Sequence, residues 1–461
     1  MRVYDPERDF PEVYKLCKQF YISDDKLLAL RDGMSKEIVA GLGRDTNARS
    51  SVACLLSYVQ NMPTGRERGR FLALEMWPTN CRIMLVKFSS EKDIYMSSKC
   101  VVVPHTVAGA RGTELFDFLA DNIAIFVKEK KVEKDNLPMG IAFAFRLNKL
   151  SLDVGLLMAW TKGYGAKGAI GKDVVLLLRT ALAKHSEISV NLNAIINQAA
   201  GSLMALAWSL PETKVGLIIG TVTNCAYVEQ VSECELFDGD NESPLMIINT
   251  EWGAFGNNGH MDNIRGEFDK IIDAESNNPG MRSYEKCICT LYLGELVRRV
   301  IVRLMQEGAI FKGYNMEYMM IQWKMEMKSL IAIESDPPGV YVKAQEVMDK
   351  FRMRNCAERD LAALRYICET VSARSARLVS AGLAAIVNRM NYSHVVVAVD
   401  GGIYRLHPTY HKTLNKFALD LIYPDNSFEI VVAEDSPGVG AAIVAGLAVS
   451  LSEVTRTFSI S

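Results

Sequence analysis

Residues 215–228, Val-Gly-Leu-Ile-Ile-Gly-Thr-Val-Thr-Asn-Cys-Ala-Tyr-Val, contain the pattern that decides the fold. Two apolar runs flank the short polar turn at Thr221–Thr223, and this order predicts a β-hairpin. The same order of apolar run, short break and apolar run occurs twice more, at Phe71–Leu74 with Ile83–Val86 and at Val395–Val399 with Ile403–Leu406. Between these units lie helical patterns, for example 115–130 and 286–306. Three hairpins with interleaved helices predict an α/β protein with two lobes that face a cleft.

The turns within these units are rich in threonine and glycine. Thr221–Thr223 follows Gly220 in the second unit, and Asp400-Gly401-Gly402 forms the turn of the third. Such turns present backbone N–H groups and hydroxyls that suit phosphate oxygens. Three turns of this kind in one chain indicate a nucleotide-binding cleft.

The composition is that of a soluble globular protein. Of the 461 residues, 49% are hydrophobic and 23% are charged, and the formal net charge is −2. A chain of this length exceeds one compact core, so two large lobes are expected. The near-neutral charge gives no electrostatic attraction for nucleic acid or an anionic membrane. The longest apolar runs, such as 441–451, fall short of the ~20 residues that a transmembrane helix needs.

Neither the N-terminus nor the cysteines indicate secretion. The first residues are charged and lack the apolar core of a signal peptide. The ten cysteines include no CxxC pair, and the six histidines form no metal-binding pattern. Reduced thiols in a cytosolic protein are therefore expected.

Ordered motifs along nearly the whole chain resemble the eukaryotic hexokinase family. The most specific is the octapeptide Asn249–Gly256, Asn-Thr-Glu-Trp-Gly-Ala-Phe-Gly. The others, in chain order, are Gly41–Thr46, Gly112–Asp117, Trp160–Gly163, Asn278–Gly280, Tyr292–Leu296, Arg374–Ala376 and Leu406–Pro408.

The resemblance implies an actin-like ATPase fold in which a small and a large lobe close over hexose and MgATP. It places an N-terminal region at 10–205 and a C-terminal region at 206–455. The small lobe would comprise about 62–197 plus 435–450, and the large lobe would include the helical segment 1–60. The mass of 51.2 kDa fits a single catalytic unit. An apolar N-terminal anchor for the mitochondrial surface is missing from the sequence, so the resemblance implies a cytoplasmic protein without a membrane anchor.

The resemblance also implies which residues contact the hydroxyls of the hexose. They are Thr161, Lys162, Asn197, Asn224, Asn249, Glu251 and Glu285, with Lys162 also implied in catalysis. Carboxylates and amides suit a polyol because each hydroxyl both donates and accepts. The alternative is that these polar groups only satisfy buried backbone. The family segment Phe-Ser-Phe-Pro is here Phe143-Ala144-Phe145-Arg146, which removes a hydroxyl and adds a cation.

The position of the general base departs from the family pattern. The family sequence Val-Asn-Asp-Thr corresponds here to Ile196-Asn197-Gln198-Ala199. A carboxylate can take the proton from a sugar hydroxyl as its oxygen attacks phosphorus, whereas a neutral carboxamide cannot. Gln198 therefore predicts the loss of the base.

The first phosphate turn departs from the family pattern as well. The family sequence Leu-Asp-Leu-Gly-Gly-Thr-Asn-Phe-Arg is here residues 74–82, Leu-Glu-Met-Trp-Pro-Thr-Asn-Cys-Arg. Trp77 adds bulk, and Pro78 removes an N–H and fixes φ, where the glycines allow a close approach to phosphate. Glu75 is one methylene longer than the family Asp, which puts the positioning of Mg²⁺ through water in doubt. The resemblance implies nucleotide contacts by Thr79, Asn80, Arg82, Thr221, Asp400, Gly401, Gly402 and Gly438. Near the C-terminus Val439 stands where the family has a cation.

Three hypotheses about function follow from these departures. The first is a protein of the hexokinase family, on a scaffold for ATP-dependent phosphorylation of glucose and related hexoses, that is catalytically impaired or inactive. The second is a functional hexokinase for glycolysis in which water, Glu251 or Glu285 replaces the lost base. The third is a structural or assembly role that uses neither ligand.

Overall fold

A computed structural model describes residues 4–459, except for 78, 90–92, 162, 240–242, 391 and 434–435. The strands are β1 Leu55–Leu56, β2 Gly69–Trp77, β3 Asn80–Phe88, β4 Ile94–Val102, β5 Leu137–Phe143, β6 Leu147–Ser151, β7 Val154–Leu157, β8 Val190–Ile196, β9 Thr213–Ile219, β10 Thr223–Gln230, β11 Leu245–Asn249, β12 Val395–Asp400 and β13 Phe428–Val432.

The α-helices cover most of the remaining chain. They are α1 Pro6–Asp9, α2 Pro11–Cys17, α3 Asp24–Leu42, α4 His105–Ala108, α5 Gly112–Glu129, α6 Val174–Leu182, α7 Gln198–Ala207, α8 Glu267–Glu275, α9 Ser283–Ile288, α10 Thr290–Gln306, α11 Glu317–Met320, α12 Met327–Ser335, α13 Val342–Lys350, α14 Glu358–Met390, α15 Gly402–Leu406, α16 Tyr410–Leu421 and α17 Ser436–Ser459. In the part of the chain that the structure describes, none of these helices combines the length and hydrophobicity of a membrane span.

The two large sheets share one topology. The first has the strand order β4-β3-β2-β5-β8, and the second has β1-β11-β10-β9-β12-β13. In each, three consecutive strands form an antiparallel meander, and two later strands add in parallel beside its first strand. This repeated α/β arrangement, with helices on the faces of both sheets, is the two-lobed actin-like architecture that the sequence predicts.

The hairpins of the sequence analysis are confirmed in two cases and wrong in the third. β2 pairs antiparallel with β3, and β9 pairs antiparallel with β10. After β12, however, Ile403–Leu406 lies in the short helix α15. The reason is that β12 is flanked by parallel partners on both sides, β9 and β13, so no edge remains for a returning strand. The helical pattern at 286–306 divides into α9 and α10, with Cys289 in extended conformation between them.

Helices α7 and α17 pack between the two sheets, and glycines allow the close approach. Apolar residues of α7, α17, β2, β5, β8, β9 and β10 form one buried cluster. A Cβ on Gly140 of β5 would lie 2.1 Å from the carbonyl oxygen of Ala441, and a Cβ on Gly216 of β9 would lie 2.0 Å from that of Ala199. The two helices themselves meet where a Cβ on Gly440 would lie 2.0 Å from the Gly201 carbonyl oxygen.

This packing predicts a loss of stability in Gly140→Ala. The added methyl group forces β5 and α17 apart, and overpacking of this kind costs about 1–3 kcal/mol of the free energy of unfolding. Chemical or thermal unfolding of the purified variant measures the loss. Gly165→Ala is the matched control, because a Cβ at Gly165 meets no atom within 4 Å among the described residues. Equal stability of the two variants would contradict this account of the helix packing.

Candidate functional site

A cleft of about 390 Å³ lies between the two sheets, beside the N-terminal end of α7. Its first wall comes from the loop after β5, from the segment around Trp160 and from the β8–α7 junction. Its second wall comes from the turn after β9 and from the segments before α9 and at the start of α10. The lining includes Phe143, Ala144, Phe145, Arg146, Trp160, Thr161, Asn197, Gln198, Thr221, Thr223, Asn224, Glu251, Asn278, Arg282, Glu285, Leu291 and Tyr292.

The β8–α7 junction places Gln198 in the cleft. Asn197 is the N-cap of α7, and its Oδ1 accepts a hydrogen bond of 2.7 Å from the N–H of Ala200. An N-cap asparagine of this kind satisfies one of the free N–H groups at a helix start. Gln198 is therefore the first residue of α7. The Nδ2 atom of Asn197 is buried and has no hydrogen-bond partner among the described residues.

An aromatic cluster supports the opposite edge of the first wall. The rings of Phe145 and Trp160 meet edge to face with centroids 4.8 Å apart, and Trp160 stacks on Tyr164 at 5.7 Å. The indole N–H of Trp160 donates to the carbonyl oxygen of Ala166 at 2.9 Å. These contacts fix the segments that carry Ala144 and Thr161, both of which line the cleft.

Asn224, Asn249 and Glu251 form a hydrogen-bonded network on the second wall. The Nδ2 of Asn224 donates to Asn249 Oδ1 at 2.8 Å and to Glu251 Oε1 at 3.3 Å. The Nδ2 of Asn249 donates to the same Glu251 oxygen at 3.0 Å. Asn249 lies behind the cleft surface and reaches it through Asn224 and Glu251. These amides and the carboxylate present paired donors and acceptors, as a polyol requires.

Glu285 is held by a cation that the sequence analysis did not single out. Arg282 donates to it twice, from Nε to Oε1 at 2.5 Å and from a terminal nitrogen to Oε2 at 2.8 Å. The N–H of Thr223 adds a bond of 3.1 Å to Oε2. A second terminal nitrogen of Arg282 lies 3.7 Å from Glu251 Oε2. Burial disfavours the charged guanidinium, but the hydrogen bonds and charge of Glu285, together with the charge of Glu251, raise the pKa of Arg282.

One signal in the sequence could have identified Arg282. Arg282 and Glu285 are three residues apart, a spacing at which an ion pair forms on a helix. What the spacing does not reveal is the left-handed backbone of Arg282, with φ of +56° at the N-cap of α9. That conformation lies outside the helix and turns the guanidinium onto two carboxylates.

The second and third phosphate turns lie at the same edge of the second sheet. β9 and β12 are parallel neighbours, so their carboxyl ends, followed by Thr221 and by Gly401-Gly402, point in one direction. A Cβ on Gly401 would lie 1.9 Å from the carbonyl oxygen of Ile219, whereas a Cβ on Gly402 would meet no described atom within 4 Å. Ligands of open α/β sheets bind at such edges. This arrangement fits a nucleotide.

At the first phosphate turn, the acid implied in positioning Mg²⁺ is paired with a cation of the same hairpin. Arg82 pairs with the buried Glu75, with bonds of 2.8 and 3.2 Å to Oε2, and its guanidinium lies 5.8 Å from the centre of the Trp77 ring. The carboxylate of Glu75 thus takes part in an internal ion pair. Thr79 has a φ of +69°, which is unfavourable for a β-branched residue. Asn80 begins β3 on the other side of the turn.

Gly438, in the first turn of α17, lies beside Glu75 and Met84. A Cβ on Gly438 would be 3.4 Å from Glu75 Oε2 and 2.3 Å from Met84 Sδ. Gly438 is therefore grouped with the first turn. The second and third phosphate turns contain the other predicted nucleotide contacts, namely Thr221, Asp400, Gly401 and Gly402.

Two further predicted residues, Lys162 and Pro78, lie outside the described residues. Among the described residues, no group of three or more His, Cys, Asp or Glu side chains could hold a metal ion.

An actin-like fold with amides and carboxylates in its interlobe cleft defines the class of sugar kinases and their relatives. Comparison with known proteins narrows this class. Two hexokinase family models match residues 12–208 and 214–447. The chain is 61% identical to hexokinase type 1 of Drosophila melanogaster over 96% of both proteins, and 35% identical to hexokinase-1 of Rattus norvegicus over 98% of the chain and 50% of the rat protein.

The solved structures agree with the sequence relatives. The hexokinase of Schistosoma mansoni in complex with glucose superposes with a TM-score of 0.89 at 35% identity, over 96% of the chain and 100% of that structure. The chain belongs to the hexokinase family.

Lys149 on β6 fastens the strand that precedes Gln198. Its Nζ donates to the carbonyl oxygen of Ile195 at the end of β8 and to that of Ser57, in the segment after β1. Burial lowers the pKa of the Lys149 ammonium to about 7, and the charge of Asp153 opposes this shift only in part. The ammonium is thus more acidic in the native state than in the unfolded chain.

A pH dependence of stability follows for Lys149. Between about pH 7 and pH 10.5, the ordinary value of a lysine, the unfolded chain binds the proton more readily than the native protein. The contribution of Lys149 to the free energy of unfolding must therefore rise with pH across this interval. Urea unfolding of the unmodified protein and of Lys149→Met at several pH values measures the difference. A difference that stays constant, or that falls as the pH rises, would contradict the lowered pKa.

Proposed function

We propose that this protein binds a hexose in the cleft between its lobes and that its transfer of phosphate from MgATP is impaired or absent. The observation that carries the proposal is Gln198 at the first position of α7, inside the cleft. A carboxamide at this position cannot accept a proton from an attacking sugar hydroxyl at any ordinary pH.

Neither of the two described acids that line the cleft is free to replace the base. Glu285 already accepts two bonds from Arg282 and one from the N–H of Thr223. Glu251 accepts from Asn224 and Asn249 and lies beside Arg282. A base must reach the proton that it removes within a hydrogen-bond distance. The occupied carboxylates therefore support impaired transfer.

The hexose contacts would come from both walls of the cleft. Thr161 and Asn197 belong to the side of the first sheet, and the unpaired Nδ2 of Asn197 is a donor for a sugar oxygen. Lys162, which lies outside the described residues, is a further proposed contact. Asn224, Asn249, Glu251 and Glu285 belong to the other side. The alternation of amide donors and carboxylate acceptors suits the two roles of each hydroxyl.

Nucleotide binding is proposed for the second and third turns only. Thr221, Asp400, Gly401 and Gly402 would hold ATP, because the edge of the sheet is open at Gly402. The first turn retains four residues of the family pattern, namely Thr79, Asn80, Arg82 and Gly438. However, Trp77 and the Glu75–Arg82 pair oppose the binding of the terminal phosphates with Mg²⁺.

Two departures from the family pattern, Gln198 at the base position and the altered first phosphate turn, are large enough to decide the rate of phosphate transfer. Proton transfer by a positioned side chain typically contributes ~10²–10⁴-fold, and loss of one donor to developing charge costs ~10²–10³-fold. Because residues that act as a unit are not additive, the two factors need not multiply. Either factor alone removes most of the turnover.

A second candidate is a working hexokinase that phosphorylates hexoses for glycolysis in the cytoplasm. The identity of 61% with hexokinase type 1 of Drosophila melanogaster over nearly the full chain favours it. In that case, a water molecule or a rearranged Glu251 or Glu285 would take the proton. Both candidates have the same fold and the same hexose site. In both, the small lobe comprises about 62–197 plus 435–450, and the remainder of the chain forms the large lobe. The candidates differ in turnover.

A coupled assay for glucose 6-phosphate distinguishes these candidates. We expect no difference in turnover between the unmodified protein and Gln198→Ala, since neither has a base. We expect a gain of at least ~10²-fold when Gln198→Asp is combined with Trp77→Gly and Pro78→Gly, because the combination restores both the base and the phosphate turn. Gln198→Asp alone shows whether the turn is a separate lesion. Turnover in the unmodified protein that Gln198→Ala abolishes would refute the impaired enzyme.

Calorimetry separates hexose binding from a purely structural role. Titration with glucose is expected to give heat from the unmodified protein and none from Asn224→Ala, which loses its bonds to Asn249 and Glu251. Gly165→Ala serves as a control outside the cleft. A parallel titration with MgATP tests the second and third turns. The absence of heat with both ligands would support the third hypothesis, a role that uses neither.

A further inference from the structure

Arg282 and Glu251 face each other in the cleft from two left-handed backbone positions. Arg282 has a φ of +56° and Glu251 a φ of +54°. Non-glycine residues rarely adopt this conformation, and where it persists the surrounding structure enforces it, often at a functional site. Both strained positions carry charged side chains that meet at 3.7 Å.

The structure provides a fitted space for the guanidinium of Arg282. Gly253 lies beneath it, since a Cβ there would come within 2.9 Å of a terminal nitrogen of Arg282. The Arg282 side chain is 29% exposed, whereas those of Glu285 and Glu251 are 6% and 13% exposed. Arg282 is therefore the most exposed of the three charged side chains, and all three line the cleft.

We infer that Arg282 determines which sugars the cleft accepts, because its guanidinium occupies the carboxylates of Glu285 and Glu251. This inference rests on the proposed function, in which the same carboxylates accept bonds from hexose hydroxyls. It predicts that Arg282 weakens the binding of neutral hexoses and weakens that of cationic amino-hexoses still more.

The hydrogen bonds of Glu285 support this role. A carboxylate has about four lone-pair sites for hydrogen bonds. Arg282 takes two of them and the N–H of Thr223 takes a third, so little capacity is left for a sugar hydroxyl. A hexose gains a bond to Glu285 only if it displaces a charge-assisted pair, which is among the stronger hydrogen bonds in proteins.

The charges of the cleft also support the role of Arg282 in determining which sugars are accepted. The described charged residues that line the cleft are Arg146, Arg282, Glu251 and Glu285, so two cations balance two anions. Without Arg282 the cleft would carry an excess negative charge next to the sugar. That charge would favour a protonated amino-hexose over glucose. Arg282 cancels this preference.

A purely structural role for Arg282 makes a different prediction. If it only compensates the buried charge of Glu285, its removal lowers stability without changing the relative affinities for two sugars. The ratio of the affinities for glucose and glucosamine, at a pH where the glucosamine amine is protonated, is therefore the deciding quantity.

The test is isothermal titration of glucose and glucosamine into the unmodified protein, Arg282→Gln and Arg282→Lys. In Arg282→Gln we expect the affinity for glucose to rise about tenfold, as one charge-assisted bond becomes available to the sugar, and the affinity for glucosamine to rise further. Lysine keeps the charge but loses the two-pronged contact, so in Arg282→Lys we expect a rise for glucose and an unchanged ratio. Arg389 on α14 forms a similarly buried ion pair with Glu229 on β10. Arg389→Gln breaks this pair and should leave the affinities for glucose and glucosamine unchanged.

The outcomes separate the inference from the function beneath it. If the unmodified protein binds glucose and Arg282→Gln binds both sugars no more tightly, or with an unchanged ratio, the inference is overturned while the proposed function stands. If no variant binds either sugar, the proposed function falls and the inference falls with it. Thermal unfolding shows first whether Arg282→Gln is folded. If it is not, Arg282→Lys decides, because an unchanged affinity for glucose in that variant overturns the inference.

Discussion

The close packing of α7 and α17 between the two sheets is the constraint on which the rest of the structure depends. Gly140 and Gly216, one in each sheet, and Gly201 and Gly440, one in each helix, let backbone approach backbone without intervening side chains. These contacts hold the two sheets in one geometry. Because α7 begins at the cleft, the same packing sets the position of Gln198 relative to Asn224, Glu251 and Glu285 on the second wall.

The acidic side chains that line the cleft are paired with internal hydrogen-bond donors. A neutral amide stands at the start of α7, and each described acid on its lining is held by an amide or by Arg282. At the first phosphate turn, Glu75 is likewise paired with Arg82. Each carboxylate that the reaction could use is thus stabilised by an internal donor. These contacts are the reason that we propose binding of hydroxyl groups without efficient removal of their protons.

Part of the fold could be predicted from the sequence, because strand patterns and ordered motifs depend on local composition. The hairpins β2–β3 and β9–β10 are of this type. The grouping of Asn197, Asn224, Glu251 and Glu285 in one cleft was implied by the family resemblance and not by local composition. Ile403–Leu406 was predicted as a strand and is a helix, because the neighbours of β12 are decided by tertiary structure. The role of Arg282 depends on a left-handed backbone and on the space above Gly253, and neither can be inferred from spacing alone.

The central claim is that the cleft binds a hexose while its transfer of phosphate is impaired or absent. Saturation-transfer difference NMR on a mixture of protein, ¹³C-labelled glucose and MgATP reads both parts of this claim in one sample. The account predicts transfer of saturation from protein to glucose, with the spectrum of glucose unchanged over many hours. Rapid appearance of glucose 6-phosphate signals, or glucose that receives no saturation at any concentration, would contradict it.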